Sequence, residues 1–168
     1  MATVHANSVT INSTSGTLQT GPFRANNKIT SVDLSGVSWT YNSMRLAFGG
    51  CVYLTTVTNV NNNIVTMAGT FYGCSRLVNA PIIPNSVTNM YRTFYGCKNL
   101  TRDIYIKSNQ IARADNCFYR DNPLIKNVYI PFIYKNGINT QTYNSFISAG
   151  YKIDGSLHNV YLRDIDTV

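Results

Sequence analysis

Met67-Ala-Gly-Thr-Phe71-Tyr-Gly-Cys74-Ser-Arg-Leu77 is matched further along the chain by Met90-Tyr-Arg-Thr-Phe94-Tyr-Gly-Cys97-Lys-Asn-Leu100. One unit earlier stands Met44-Arg-Leu-Ala-Phe48-Gly-Gly-Cys51 with Leu54, and one unit later the looser Ala114-Asp-Asn-Cys117-Phe118-Tyr-Arg120 with Leu124. The phenylalanines fall at positions 48, 71, 94 and 118, a nearly constant period at which one repeat is one coil of a stacked chain.

The interval from methionine to phenylalanine is one helical turn, which predicts a short helix or 3₁₀ segment with both side chains inward. Gly50, Gly73 and Gly96 then supply the turn that ends it. Beyond the leucine the pattern alternates, in Ile104-Tyr105-Ile106, Val128-Tyr129-Ile130 and Val160-Tyr161-Leu162, and predicts a short strand with its tyrosine outward. Pro81, Pro84 and Pro131 punctuate the strands, where the chain leaves the sheet without donating a hydrogen bond.

Phe23 opens a further coil with Ile29, Val32 and Leu34, and Phe146 a closing one with Ile153, Leu157, Val160 and Leu162. The expected core is therefore Phe23, Phe48, Phe71, Phe94, Phe118 and Phe146, with Met44, Met67, Met90, Leu54, Leu77, Leu100 and Leu124. A single coil buries too little to order its own backbone, so stacking is obligatory and the open ends need covers. Residues 1–22 are expected as an N-terminal cap or attachment arm, and residues 23–168 as one solenoid of about six coils, atypical over 132–168. Arg163-Asp-Ile-Asp166 reads as a charged edge that discourages further pairing.

Composition agrees with strands and turns. The 168 residues are 44% apolar, enough for a continuous core, and only 12% charged, with no glutamate. A surface built from Asn, Thr, Ser and Tyr disfavours long helices. The net charge of +7 is dispersed along the chain, which reads first as a solvated basic surface and second as a polyanion site. No stretch approaches a membrane span, and the start has no secretion signal. A role outside the cell would then require a removed export signal or release by lysis.

Catalytic and metal chemistry find few parts. His5 and His158 are the only histidines, there is no Cys-x-x-Cys pair, and the aspartates stand singly. Cys51, Cys74 and Cys97 share one repeat position; buried reduced thiols are the expected state, ahead of bridges between coils. No enzyme activity, cofactor or metal is expected.

The run from Leu77 to Leu100, Leu-Val-Asn-Ala-Pro-Ile-Ile-Pro-Asn-Ser-Val-Thr-Asn-Met-Tyr-Arg-Thr-Phe-Tyr-Gly-Cys-Lys-Asn-Leu, resembles the BspA-like leucine-rich repeat. The match is good over about 44–131, weak in the flanks, and departs at Cys117, Arg120 and the long final coil. The resemblance implies a leucine-rich-repeat solenoid with a parallel sheet along one face, and a role in adhesion and in protein or glycan recognition. Such repeats occur in bacterial surface proteins, secreted proteins of mucosal parasites and bacteriophage particles.

On that frame Tyr105, Tyr129 and Tyr161 form the candidate binding stripe, framed by Arg102, Lys107, Lys126 and Arg163; the plainer alternative is that the tyrosines pack on each other. Tyr72, Tyr95 and Tyr119 read as packing on the opposite edge, and Asn61 to Asn63 as a corner loop. The leading expectation is a structural and recognition protein of a phage virion, as fibre, baseplate or capsid decoration, oligomeric or bound in its assembly. The rivals are a bacterial surface adhesin and a basic nucleic-acid-binding module.

Overall fold

The computed structural model describes residues 2–5, 10–11, 21–35, 37–101, 103–118, 125, 127–131, 141–150 and 161–165. Its strands are β1 (Ala2–His5), β2 (Thr10–Ile11), β3 (Ile29–Asp33), β4 (Ser38–Trp39), β5 (Thr56–Thr58), β6 (Ile104–Tyr105), β7 (Asn127–Ile130) and β8 (Tyr161–Asp164), with one helix, α1 (Gln141–Ser148), between β7 and β8. Every pairing is parallel, in the orders β1-β3-β5, β2-β4 and β6-β7-β8. The single sheet expected along one face is thus three short sheets. Between β5 and β6 the register passes through single bridges, Thr56 to Asn79 and Ile83 to Ile106. Pro81 and Pro84 flank Ile82 and Ile83, and neither has an N–H to give to a ladder, so this coil pairs at isolated points. In the N-terminal segment β1 and β2 each add a strand to the coil that follows them.

The segment from methionine to cysteine departs from expectation. It is a succession of tight turns, not a helix. Phe48 to Cys51, Phe71 to Cys74 and Phe94 to Cys97 are closed by N–H to C=O bonds of 3.0, 3.0 and 3.1 Å. Gly50, Gly73 and Gly96 sit at the third turn position with φ of 78°, 71° and 77°, the left-handed backbone a glycine adopts without strain. A second left-handed position precedes each phenylalanine by two, at Leu46, Gly69, Arg92 and Asn116 (φ 53°, 63°, 52° and 52°), which no run of right-handed helix allows. Alternate N–H groups instead leave the coil: Met67, Gly69, Phe71 and Gly73 donate to the carbonyls of Asn89, Tyr91, Thr93 and Tyr95 at 2.7 to 3.0 Å. A helix would spend these donors on itself; the turn ribbon spends them on stacking.

The core follows the repeat. The rings of Phe23, Phe48, Phe71, Phe94, Phe118 and Phe146 form one stack, with centroids 5.3, 5.9, 5.4, 5.5 and 6.4 Å apart. Met44, Met67, Met90, Leu54, Leu77 and Leu100 are fully buried beside them, while Phe23, at one end, is only partly so. Leu124 lies outside the described residues. Ile64, Val87, Ile111 and the buried Trp39 complete the interior.

Buried polar groups tie coil to coil. Cys51, Cys74 and Cys97 donate their thiols to the carbonyls of Phe23, Phe48 and Phe71, one coil back, at 2.9, 3.1 and 3.1 Å. All four cysteines are free and buried. Loss of solvation pushes the Cys74 thiol up to about 12 and Cys97 and Cys117 also well upward, so the donors stay protonated. Thr70 and Thr93 act alike, their hydroxyls donating to the Met44 and Met67 carbonyls at 2.9 Å.

At the other end, α1 stands where earlier coils have their turn ribbon. Phe146 is buried against Phe118, and Thr142 Oγ1 donates to the Ser108 carbonyl and accepts from the Ile111 N–H, both at 3.0 Å. A helix can occupy this position because it keeps its N–H groups for itself and needs no further coil to accept them.

Candidate functional site

Two of the three stripe tyrosines come together. β6 and β7 pair Tyr105 with Tyr129, and the rings stack with centroids 4.8 Å apart and planes 7° from parallel. Both residues are half-buried. Tyr161 does not continue the pair. The register sets Tyr161 against Asn127 and Arg163 against Tyr129, so the residue level with the stack is Arg163. The Val-Tyr-Leu motif of the last coil is offset by two positions from the alignment its letters suggest. Arg102 and Lys126 lie outside the described residues, and of Tyr161 and Arg163 the strand position is described.

On the other side of Tyr105 the bridge of Ile83 to Ile106 makes Ile82 its neighbour one coil back, and Ile82 is 53% exposed. Two shallow hollows lie along this part of the molecule. One, of about 490 Å³, is lined by Thr56, Asn59, Asn62, Asn79, Ile82 and Lys107 among others. The second, of about 440 Å³, adjoins it at Asn79 and Ala80 and reaches Thr101, Asp103 and Tyr105. Asp103 accepts the Asn127 side-chain amide at 2.9 Å, one coil on, so its carboxylate is held in place beside the tyrosine stack.

The hollows offer amide and hydroxyl groups, tyrosine surface, one ammonium and one carboxylate. That set suits polar recognition over an extended surface. Among the described residues no three His, Cys, Asp or Glu side chains are grouped to hold a metal ion. The thiols are buried and held protonated, which withdraws them as nucleophiles.

The sequence reading missed Ile82, Asn79 and Asp103. A signal was present: Ile82 stands one repeat period before Tyr105, but between two prolines it reads as a corner. On the turn ribbons the expected packing is seen, with Tyr72 and Tyr95 stacked at 5.0 Å; Tyr119 is outside the described residues. Among the described residues no helix is long and apolar enough to cross a membrane.

A family model described as the BspA type leucine rich repeat region matches the chain in six copies, over residues 2–91 and 44–147. Neither comparison with curated proteins nor comparison with solved structures produced a match.

Proposed function

Because the chain belongs to the BspA-type leucine-rich repeat family, we propose that it is a non-enzymatic recognition and adhesion protein that docks a protein or glycan on its strand face. The observation that carries this reading is the Tyr105 and Tyr129 stack beside the Asn-lined and Thr-lined hollows. Stacked rings present rigid contact area at little entropic cost, and the amides beside them supply the directional hydrogen bonds that a sugar or peptide ligand needs. Six family copies over residues 2–91 and 44–147, and donors passed from coil to coil, support a single solenoid; in the proposal it runs from 23 to 168, with 1–22 covering its N-terminal end.

The family is one of surface recognition, so the working place of the protein is an exterior surface. The finer form of the proposal sets it on a phage virion, the alternative on a bacterial envelope. Mass spectrometry of purified virions separates them, since absence of the chain there removes the virion form.

The binding surface is tested by screening the protein on glycan arrays and host-cell surfaces, then repeating the positive assays with the Tyr105→Ala/Tyr129→Ala double variant. Loss of binding with an unchanged melting curve supports the strand face. Unchanged binding removes it.

A further inference from the structure

The turn side of the stack carries a second surface that the strand-face reading does not use. Residues 34–102 contain no acidic residue at all, yet include Arg45, Arg76, Arg92, Lys98 and Arg102. Of these, Arg45, Arg76 and Lys98 are exposed. Arg45 and Arg92 lie on the turn ribbons, and Arg76 and Lys98 just beyond them.

Within this region one cluster is built, not scattered. Tyr72 stacks on Tyr95 at 5.0 Å, the Arg92 guanidinium lies 5.5 Å from the Tyr95 ring and 5.0 Å from the Tyr91 ring, and Arg113, one coil on, lies 3.9 Å from Tyr91. Among the described residues Asp115 is the one carboxylate of this cluster, and it is held by Arg113 Nε at 2.8 Å. Arg92 has no carboxylate partner among the described residues, and its Nε is buried without a hydrogen bond. It also occupies the left-handed position, φ 52°, that the preceding coil gives to Gly69. Arg92 thus carries a charge that no described carboxylate neutralises, on a side chain held against two rings.

We propose that this tyrosine and arginine face binds an anionic polysaccharide, one bearing sulfate or carboxylate groups. With Arg92 Nε buried and Arg113 Nε on Asp115, each guanidinium keeps its terminal Nη groups for oxyanions. Arg92 and Arg113 stand on consecutive coils and both lie against Tyr91, so they offer two neighbouring cations to a polyanion. Nucleic acid fits less well, because base recognition by tyrosine needs free ring faces, and Tyr91 and Tyr95 already carry guanidinium or tyrosine on theirs.

The test measures binding of a fluorescent heparin oligosaccharide to the full chain across a salt series, with single-stranded oligonucleotide and polyaspartate of equal charge as comparators. Arg92→Asn keeps the backbone, since Asn116 holds the same position in the next coil, and it is combined with Arg113→Gln. Lys28→Gln removes an exposed charge elsewhere. The double variant is expected to lose at least about tenfold in affinity and to flatten the salt slope by about one for each arginine, while Lys28→Gln changes little. Equal loss with Lys28→Gln, equal or tighter binding of either comparator, or no heparin binding at all would overturn the proposal.

Discussion

The Cys74 thiol lies 3.1 Å from the carbonyl oxygen of Phe48, and this bond joins the ring stack of one coil to the turn ribbon of the next. Cys51 and Cys97 repeat it with Phe23 and Phe71, so the third residue after Phe48, Phe71 and Phe94 is a hydrogen-bond donor as well as a filler.

The thiol state gives the stability a pH dependence. Burial raises the Cys74 pKa from 9.0 to about 12, so the neutral thiol is favoured in the fold. Its contribution is complete below pH 9, where folded and unfolded thiols are both protonated, and is lost as pH rises from 9 through about 12. Melting temperatures are expected to fall between pH 8 and pH 10.5, and a Cys74→Ala variant to show a smaller fall. At pH 8 iodoacetamide should label Cys74 only after denaturation.

Truncating the ring stack should cost most at its middle. Phe71→Ala removes a fully buried ring with neighbours on both sides and is expected to destabilise by about 3–5 kcal/mol. Phe23→Ala, partly buried with a single stacking partner among the described residues, should cost clearly less. Urea titration of both variants, with equal m-values as the check on two-state unfolding, measures the difference.

The two left-handed positions predict opposite responses. Gly73→Ala places a side chain at φ 71° and is expected to destabilise by about 1 kcal/mol or more. Arg92→Gly removes that strain at φ 52° and should leave the melting temperature unchanged or higher. A large loss of stability in Arg92→Gly would show that the arginine supports the fold.

The Tyr105 and Tyr129 stack should be visible as coupling. A double-mutant cycle with Tyr105→Leu and Tyr129→Leu is expected to give an interaction of about 0.5–1.5 kcal/mol. Pairing Tyr129→Leu with Ile82→Ala, which lies two coils away, should give additive effects.

Much of the fold is legible because stacking repeats one environment. Each inner coil meets the same neighbours, so Phe48, Phe71, Phe94 and Phe118 recur at nearly constant spacing, and Phe23 and Phe146 join their stack at longer intervals. The turn ribbon is not, because an interval of four positions is shared by a helical turn and by two linked β-turns. Only the destination of the N–H groups of Gly69 and Phe71, to the next coil, separates them. The candidate site is half legible. Tyr105 and Tyr129 share a repeat position and pair as expected, whereas Tyr161 shares the letters but not the register.

By itself the sequence determined the period, the inward residues, the preference for strands and turns and the membership of a stacked-repeat class, because these follow from local spacing and side-chain chemistry. The tertiary structure alone decided which residue stands beside which across coils. It set Ile82 next to Tyr105, Arg163 level with Tyr129, and Arg113 over Tyr91. Register between coils depends on backbone hydrogen bonds as well as on coil length: the extra length of the last coil is legible in the sequence, whereas the pairing of Tyr129 with Arg163 is not.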